Sequence, residues 1–354
     1  MYRNTIINRN STSHKKRTTM NKLNNKTTKK SVLLLSGVLM LSAFFLPYAT
    51  TANSESQIPV LTSSSQTSTS TDSQAVSWPT IHAKSAFIYD PVSSIVVYEK
   101  NADEQRPIAS LLKVMTAAVA DDILDMAPGL AQRSLTIPRN LKNENAADFA
   151  IQNGSRWTTE NLIQVMLIGS SNKAAETIAN GLIPRSSFMS LMNFNARRLG
   201  LTQTYFRNPT GLTEALPGQK TALTGTSTEG RLDIAGGVST AREFAKLMWS
   251  VIAENPGLLD ATHQDSIMVP NMNNKNKNIV TEFKVDNTNK LLKDYPIRFG
   301  KTGFTDNAGG NLAVVLQRSE TSNPYVIVVL GSTLEHRFED VAKLASTTLM
   351  LYTK

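Results

Sequence analysis

The sequence predicts an α/β protein of the α+β type, with a five-stranded antiparallel sheet and a mainly helical lobe inserted between its strands. Short β-rich runs occur near both ends of residues 79–354, and the long segment between them has helical periodicity. The strand–turn–strand spacing at each end implies antiparallel neighbours, because short turns join adjacent antiparallel strands. An N-terminal hairpin and a C-terminal meander therefore give five strands.

The hairpin is predicted at Ser85–Asp90 and Ile95–Glu99, joined by the turn formers Pro91 to Ser94. The inserted lobe extends from Ser110 to about Lys290. Its predicted helices are Ser110–Asp125, Thr159–Ile168, Ser171–Leu182, Ser186–Leu199 and Thr240–Glu254. Thr240 and Glu243 fit a capping box at the start of the last of these helices.

The C-terminal meander is predicted from three β-rich runs separated by turn-rich links. These runs are Ile297–Phe304, Asn311–Gln317 and Tyr325–Gly331. A final helix, Glu335–Tyr352, carries an apolar stripe formed by Phe338, Val341, Leu344 and Ala345. We expect this helix to cover one face of the sheet.

Three segments of different composition precede the domain. Residues 1–30 contain nine Lys or Arg and no acid, residues 31–52 contain no charge, and residues 53–78 are rich in Ser and Thr. A basic head, an apolar run and small residues are typical of an export signal, cleaved after about Ala52 or retained as an N-terminal anchor. Residues 53–78 are predicted to be a disordered linker and residues 79–354 one catalytic domain. We therefore expect the domain to lie outside the cytoplasm, secreted or anchored, with membrane contact only through the N-terminal segment.

The composition excludes several classes of function. The chain has no cysteine, which rules out disulfides, a thiol nucleophile and Cys-based metal sites. The net charge is +9, but residues 53–354 hold 28 basic and 28 acidic side chains, so we expect no nucleic-acid partner. A Ser-His-Asp triad or a histidine-rich metal site is hard to build, because the histidines are far apart in the sequence. We expect them to be structural or surface residues: His14, His82, His263 and His336.

Three short motifs occur in an order that points to serine chemistry. S-x-x-K at Ser110 and Lys113 begins a predicted helix, S-x-N at Ser170 and Asn172 lies at a helix junction, and K-T-G at Lys301 lies on a predicted strand. S-x-x-K alone is weak evidence because the chain has three, whereas S-x-N and K-T-G each occur once. The combination is typical of serine β-lactamases and penicillin-binding proteins.

The first two motifs supply a nucleophile and a base. Positions i and i+3 of a helix share a face, so Lys113 can reach the Ser110 hydroxyl. The helix N-terminus and partial burial both lower the pKa of Lys113, and a neutral lysine can take the proton of the serine. Ser170 can relay a proton to the leaving amine, and Asn172 can orient a substrate backbone.

The third motif supplies substrate contacts. Lys301 and Thr302, on an edge strand beside the nucleophile, can bind a free carboxylate. The backbone N–H groups of Ser110 and Phe304 can form an oxyanion hole.

Longer stretches around these motifs resemble a known family over roughly Ala83 to Lys354. The chain resembles the D-alanyl-D-alanine carboxypeptidases of the low-molecular-mass penicillin-binding proteins, serine peptidase family S11. The stretches are AFIYDPVSSIVVYEKNADEQRPIASLLKVMTA, ENLIQVMLIGSSNKAAETIA, FMSLMNFNARRLGLTQTYFRNPTGL, STAREFAKLM, NTNKLL and GKTGFTDNAGGNLAVV.

The resemblance implies the serine β-lactamase/transpeptidase fold and removal of the terminal D-alanine from peptidoglycan stem pentapeptides. By matching positions, Ser110 would be acylated with Lys113 as its base, and Ser170 and Asn172 would assist. The substrate-binding residues would be Lys301, Thr302, Gly303 and Phe304. β-Lactams would acylate Ser110 as substrate mimics, and no metal or organic cofactor is implied.

The sequence departs from the family pattern at three places. Leu112 stands where Thr is usual, and Lys173 follows S-x-N where Asp or Glu is usual. The interval from Leu212 to Ser239 is longer than usual and is expected to form a surface loop near the cleft. These departures bear on substrate preference and rate more than on the type of reaction.

Two other functions stay open. A class A β-lactamase needs a deacylating Glu in E-x-x-x-N, but Glu176 and Asn180 follow S-x-N closely inside a predicted helix and are better interpreted as a helix face. A catalytically weak cell-wall binding protein would use the fold without the chemistry. Endopeptidase or transpeptidase activity is also compatible with the same acyl-enzyme.

Overall fold

The computed structural model describes residues 77–131, 133–216, 232–271 and 281–352. The predicted export signal and the predicted linker up to residue 76 lie outside these residues, as does the middle of the long interval after Leu212. Within the described ranges, no helix is both long and apolar enough to cross a bilayer.

The helices of the described residues are numbered in chain order. They are α1 (Lys113–Met126), α2 (Ala146–Ala150), α3 (Thr159–Ile168), α4 (Asn172–Gly181), α5 (Arg185–Arg198), α6 (Ala241–Glu254) and α7 (His336–Tyr352). Short 3-10 turns lie at Ala109–Leu112, Pro128–Leu130 and Asp260–His263. The five helices predicted in the lobe and the final helix are confirmed to within a few residues at each end.

The strands are numbered in the same way. They are β1 (Ser85–Asp90), β2 (Ile95–Lys100), β3 (Arg106–Pro107), β4 (Ser134–Thr136), β5 (Arg156–Thr158), β6 (Tyr205–Phe206), β7 (Glu214–Leu216), β8 (Leu232–Ile234), β9 (Gly237–Ser239), β10 (Ser266–Asn271), β11 (Thr281–Asp286), β12 (Ile297–Thr305), β13 (Gly309–Leu316) and β14 (Tyr325–Ser332).

The central sheet joins the two ends of the domain. Its strand order is β12-β13-β14-β1-β2, and every neighbouring pair is antiparallel. The pairing of β1 with β14 connects the N-terminal hairpin to the C-terminal meander, which confirms the predicted five-stranded sheet. β12, the strand that carries K-T-G, is an edge strand and faces the lobe.

Both faces of the sheet are covered. On one face, Ile327 and Val329 pack with Leu344 of α7. On the other face, Val326 and Val328 join the core of the helical lobe. The alternation along β14 places these side chains on opposite faces. The prediction that the last helix covers one face is therefore confirmed.

The lobe contains strands that the sequence analysis did not predict. β10 and β11 form a hairpin, β3, β9 and β6 form a small sheet, and two further pairs are β4–β5 and β7–β8. Most of these strands have two or three residues, which is too short for a period of two to show in the sequence.

Two helix starts also differ in detail from the prediction. Ser110 lies in a 3-10 turn, and the α-helix begins only at Lys113. Thr240 caps α6 by accepting from the Glu243 backbone N at 3.0 Å. The Glu243 carboxylate was expected to complete the capping box. It instead accepts from Thr204 Oγ1 at 2.6 Å and so holds the neighbouring segment.

Candidate active site

The three motifs meet where the lobe contacts the edge of the central sheet. Ser110 comes from the 3-10 turn before α1, Ser170 from the junction between α3 and α4, and Lys301 from β12. The motifs are far apart in sequence but linked in space, because Lys113 bonds Asn172 and Lys301 bonds Ser170.

Lys113 is the centre of the first pair. Its Nζ donates to Ser110 Oγ at 2.7 Å, to Asn172 Oδ1 at 2.6 Å and to the Thr210 carbonyl oxygen at 2.8 Å. Burial lowers the pKa of Lys113 to about 7, although the carboxylates of Asp148 and Glu144 oppose that shift. A large fraction of Lys113 is thus neutral near pH 7 and able to accept the serine proton.

Lys301 is the centre of the second pair. Its Nζ donates to Ser170 Oγ at 2.9 Å and to the Thr302 carbonyl oxygen at 3.0 Å. Burial, the nearby Lys113 and the nearby Arg337 hold the pKa of Lys301 well below its usual value. The Thr302 hydroxyl lies 2.6 Å from that of Thr288, which fixes its orientation on the edge strand.

Two residues of the site have strained backbones. Ala109, just before Ser110, has φ 47°, and Ser170 has φ 59°. Such left-handed conformations are unfavourable for residues with a Cβ and persist only where the surroundings enforce them. Asn145 Nδ2 donates to the Ser170 carbonyl oxygen at 2.9 Å and helps to hold this turn.

Gly303 permits the close approach of β12 to the turn that carries Ser110. A Cβ at this position would lie 2.8 Å from the Ile108 carbonyl oxygen and 3.2 Å from the Ser110 backbone N. Glycine is therefore required in K-T-G by the space between strand and turn. Phe304, the next residue, has a partly exposed side chain on the same edge strand.

Asp148 is a site residue that the sequence analysis missed. It is fully buried, and Oδ1 accepts from Ser171 Oγ at 2.6 Å and from the Lys173 backbone N at 3.0 Å, while Oδ2 accepts from the Glu144 backbone N at 3.0 Å. Asp148 thus fixes the start of α4, which carries Asn172. The weak helical pattern of AADFA gave no signal for this role.

Lys173 does not take part in the lysine–serine pairs. It is buried, and its Nζ donates to the Ile151 carbonyl oxygen at 3.1 Å. The carboxylate that the family pattern places after S-x-N is absent here, and Asp148 holds the Lys173 backbone instead.

Arg337 and Thr210 are two further residues that no motif indicated. The Arg337 Nη1 donates to the Gly303 carbonyl oxygen at 2.8 Å from the first turn of α7. The Thr210 carbonyl accepts from Lys113 and belongs to the turn RNPTGL. The resemblance of this turn to the family was visible in the sequence, but its contact with Lys113 was not.

The Glu176 side chain is engaged on the surface of α4, as expected. It accepts from Asn180 Nδ2 at 2.9 Å and pairs with Arg185 at 3.2 Å. Neither partner belongs to the lysine–serine pairs.

Comparison with known proteins agrees with this geometry. The family model for D-alanyl-D-alanine carboxypeptidases, peptidase S11, matches residues 72–333. The chain belongs to this family. The D-alanyl-D-alanine carboxypeptidase DacF of Bacillus subtilis is 26% identical, over 76% of this chain and 63% of DacF, so the match spans just under two thirds of that relative.

Two other members of this group extend the comparison. A D-alanyl-D-alanine endopeptidase of Escherichia coli is 28% identical, over 76% of this chain and 77% of the relative. The crystal structure of penicillin-binding protein D2 from Listeria monocytogenes, in its ampicillin-bound form, superposes with a TM-score of 0.62 at 27% identity. That match covers 76% of this chain and 97% of D2, which confirms the predicted penicillin-binding-protein fold.

Proposed function

We propose that this protein is a serine-type D-Ala-D-Ala carboxypeptidase that removes the terminal D-alanine of peptidoglycan stem pentapeptides. The observation that carries the proposal is the buried Lys113, whose Nζ lies 2.7 Å from Ser110 Oγ and whose pKa is about 7. This pair provides a nucleophile and its base without a histidine.

The residues support acyl transfer in two steps. As Ser110 Oγ bonds to the carbonyl carbon of the penultimate D-alanine, its proton passes to the neutral Lys113 Nζ. Breaking the C–N bond releases D-alanine, and Ser170 delivers a proton to the leaving nitrogen. The Lys113 ammonium then returns its proton to Ser170, so that the lysine is neutral again. Water attacks the acyl-enzyme as Lys113 takes one of its protons, and this proton passes to Ser110 Oγ when the ester bond breaks, which frees the shortened peptide and restores the serine.

The substrate would lie along the edge strand β12. Lys301 and Thr302 would bind the free C-terminal carboxylate, and Asn172 would orient the peptide backbone. The backbone N–H groups of Ser110 and Phe304 are the proposed oxyanion hole. β-Lactams would acylate Ser110 by the same attack, because their strained amide takes the place of the D-Ala-D-Ala bond.

The proposed substrate places the domain at the extracytoplasmic face of the cell envelope. The basic and apolar segments of residues 1–52 support export, with the N-terminus as the membrane contact, cleaved or retained.

The test uses the full-length protein and Ser110→Ala. We expect the parent to release D-alanine from a peptide ending in D-Ala-D-Ala and to be labelled by a fluorescent penicillin, and the variant to do neither. Fast turnover of a chromogenic cephalosporin would instead indicate a β-lactamase. Labelling without D-alanine release would indicate a weakly catalytic binding protein or another acceptor.

A D-alanyl-D-alanine endopeptidase is the second candidate. It is favoured by the E. coli relative, of which this chain covers a larger share than of DacF. A peptide in which the D-alanyl-D-alanine bond is internal separates the two functions. Its cleavage at a rate equal to that of the terminal bond would favour the endopeptidase.

A further inference from the structure

We propose that His82, His336 and Glu339 form a binding site for a divalent transition metal ion, with Zn²⁺ as the best match. His82 precedes β1, whereas His336 and Glu339 lie in the first turn of α7. The two imidazole rings stack with centroids 3.9 Å apart, and one ligand atom from each of the three residues lies within 4.8 Å of the others. The site is on the surface, so water can complete the coordination.

The hydrogen bonds around the histidines leave the correct nitrogens available. The His82 Nδ1 lies 3.4 Å from the buried Asp340 carboxylate, and the His336 Nδ1 lies 2.8 Å from Thr333 Oγ1. In metal sites, a ligating histidine almost always uses its second ring nitrogen to bond a carboxylate or another polar group. Both Nε2 atoms are thus the free ligand atoms, and Asp340 has the position of a supporting carboxylate.

The third ligand is already aligned. Lys343 Nζ holds Glu339 Oε1 at 2.7 Å, and Glu339 Oε2 lies 3.9 Å from His336 Nε2. The positive end of the α7 dipole disfavours a cation, but the carboxylates of Glu339 and Asp340 offset it.

Binding requires the two rings to tilt. They are stacked with planes 17° apart, so their in-plane nitrogen lone pairs do not yet converge on one point. Two nitrogens bound to one tetrahedral Zn²⁺ at about 2.0–2.1 Å lie about 3.3 Å apart. The three side chains are about half exposed, so the solvent side leaves room for this tilt. Two imidazoles and one carboxylate suit Zn²⁺, Ni²⁺ or Cu²⁺, whereas Ca²⁺ and Mg²⁺ prefer sets of oxygen ligands.

We expect the bound metal ion to link the start of the domain to its last helix. The backbone N–H groups of His82 and Ala83 already donate to Asp340, at 2.7 and 2.8 Å. A metal ion would add a second link between the same two segments. Because only the folded chain brings these ligands together, Zn²⁺ should raise the melting temperature. The lysine–serine pairs do not include these residues, so penicillin labelling should be unaffected.

The experiment is calorimetric titration of the EDTA-treated, dialysed full-length protein with ZnSO4 at pH 7.5, with melting curves recorded beside it. We expect one ion per chain with a Kd in the micromolar range or below and a rise of several degrees in Tm. His82→Ala and His336→Ala should each weaken binding at least tenfold, and Glu339→Gln less severely.

His14→Ala and His263→Ala are the matched controls, since they remove the remaining histidines and should leave Zn²⁺ binding unchanged. Penicillin labelling of each variant shows that it is folded. Absence of binding at 100 µM Zn²⁺, or binding that survives both His82→Ala and His336→Ala in labelled protein, would overturn the proposal. Equal competition by a tenfold excess of Mg²⁺ would also count against a nitrogen-rich site.

Discussion

Replacing Gly303 by alanine tests how closely the K-T-G strand must approach Ser110, the proposed nucleophile. The new Cβ would lie 2.8 Å from the Ile108 carbonyl oxygen, 3.1 Å from the Leu111 backbone N and 3.2 Å from the Ser110 backbone N. All three neighbours are backbone atoms, so no flexible side chain can give way. Strand and turn must separate by several tenths of an ångström. Because a misplacement of about 1 Å can cost on the order of 10²-fold in rate, we expect acylation to slow by about 10- to 100-fold.

The assay is the second-order rate of labelling by a fluorescent penicillin, measured together with Tm. Gly129→Ala is the matched control, since a Cβ there meets nothing within 4 Å. Labelling of Gly303→Ala at the parental rate would refute the argument that K-T-G needs glycine for lack of space. A labelling loss equal to that of Gly129→Ala would refute it as well.

Three further predictions concern the charged groups of the site. The acylation rate should rise through about pH 7 and level off above it, because Lys113 must lose its proton; a flat profile from pH 5.5 to 9 would contradict its role as base. Lys301→Ala should weaken the binding of peptides with a free C-terminal carboxylate more than that of amidated peptides in paired steady-state assays. An equal loss of affinity for both kinds of peptide would contradict carboxylate binding. Asp148→Asn should move the acylation midpoint to lower pH, because the lost negative charge no longer raises the pKa of Lys113; an unchanged or higher midpoint would contradict that coupling. The same variant should lose about 1–3 kcal/mol of stability by urea unfolding, since it places a donor beside buried donors.

The sheet and the long helices could be predicted because their patterns extend over many residues. β13 and β14 are apolar runs bounded by turns, and α6 begins at a capping threonine. The site could be predicted for a different reason, since three motifs that are weak separately become specific when they occur in one order. The motifs could be expected to lie close together because K-T-G was predicted on an edge strand beside Ser110.

Other features could not be predicted because they depend on tertiary contacts. The role of Asp148 arises from the donors that surround it, and nothing in its own segment indicates them. The histidines were expected to be too far apart for a joint site, yet His82 and His336 stack, because the pairing of β1 with β14 brings the start of the domain to the last helix. Distance along the chain was therefore a poor guide to distance in space.

The strained residues explain why local sequence rules fail at this site. Neither Ala109 nor Ser170 belongs to a residue type that favours positive φ, and each such conformation costs about 1–3 kcal/mol. At Ser170 the strain places the hydroxyl beside Lys301 Nζ, while at Ala109 it turns the chain into the short helix that presents Ser110. Glycine in place of Ala109 would relieve the strain but would enlarge the range of conformations open to Ser110, and glycine in place of Ser170 would remove the hydroxyl itself. The enforced geometry therefore keeps both hydroxyls directed at their lysines before substrate arrives, which is the condition for rapid proton transfer.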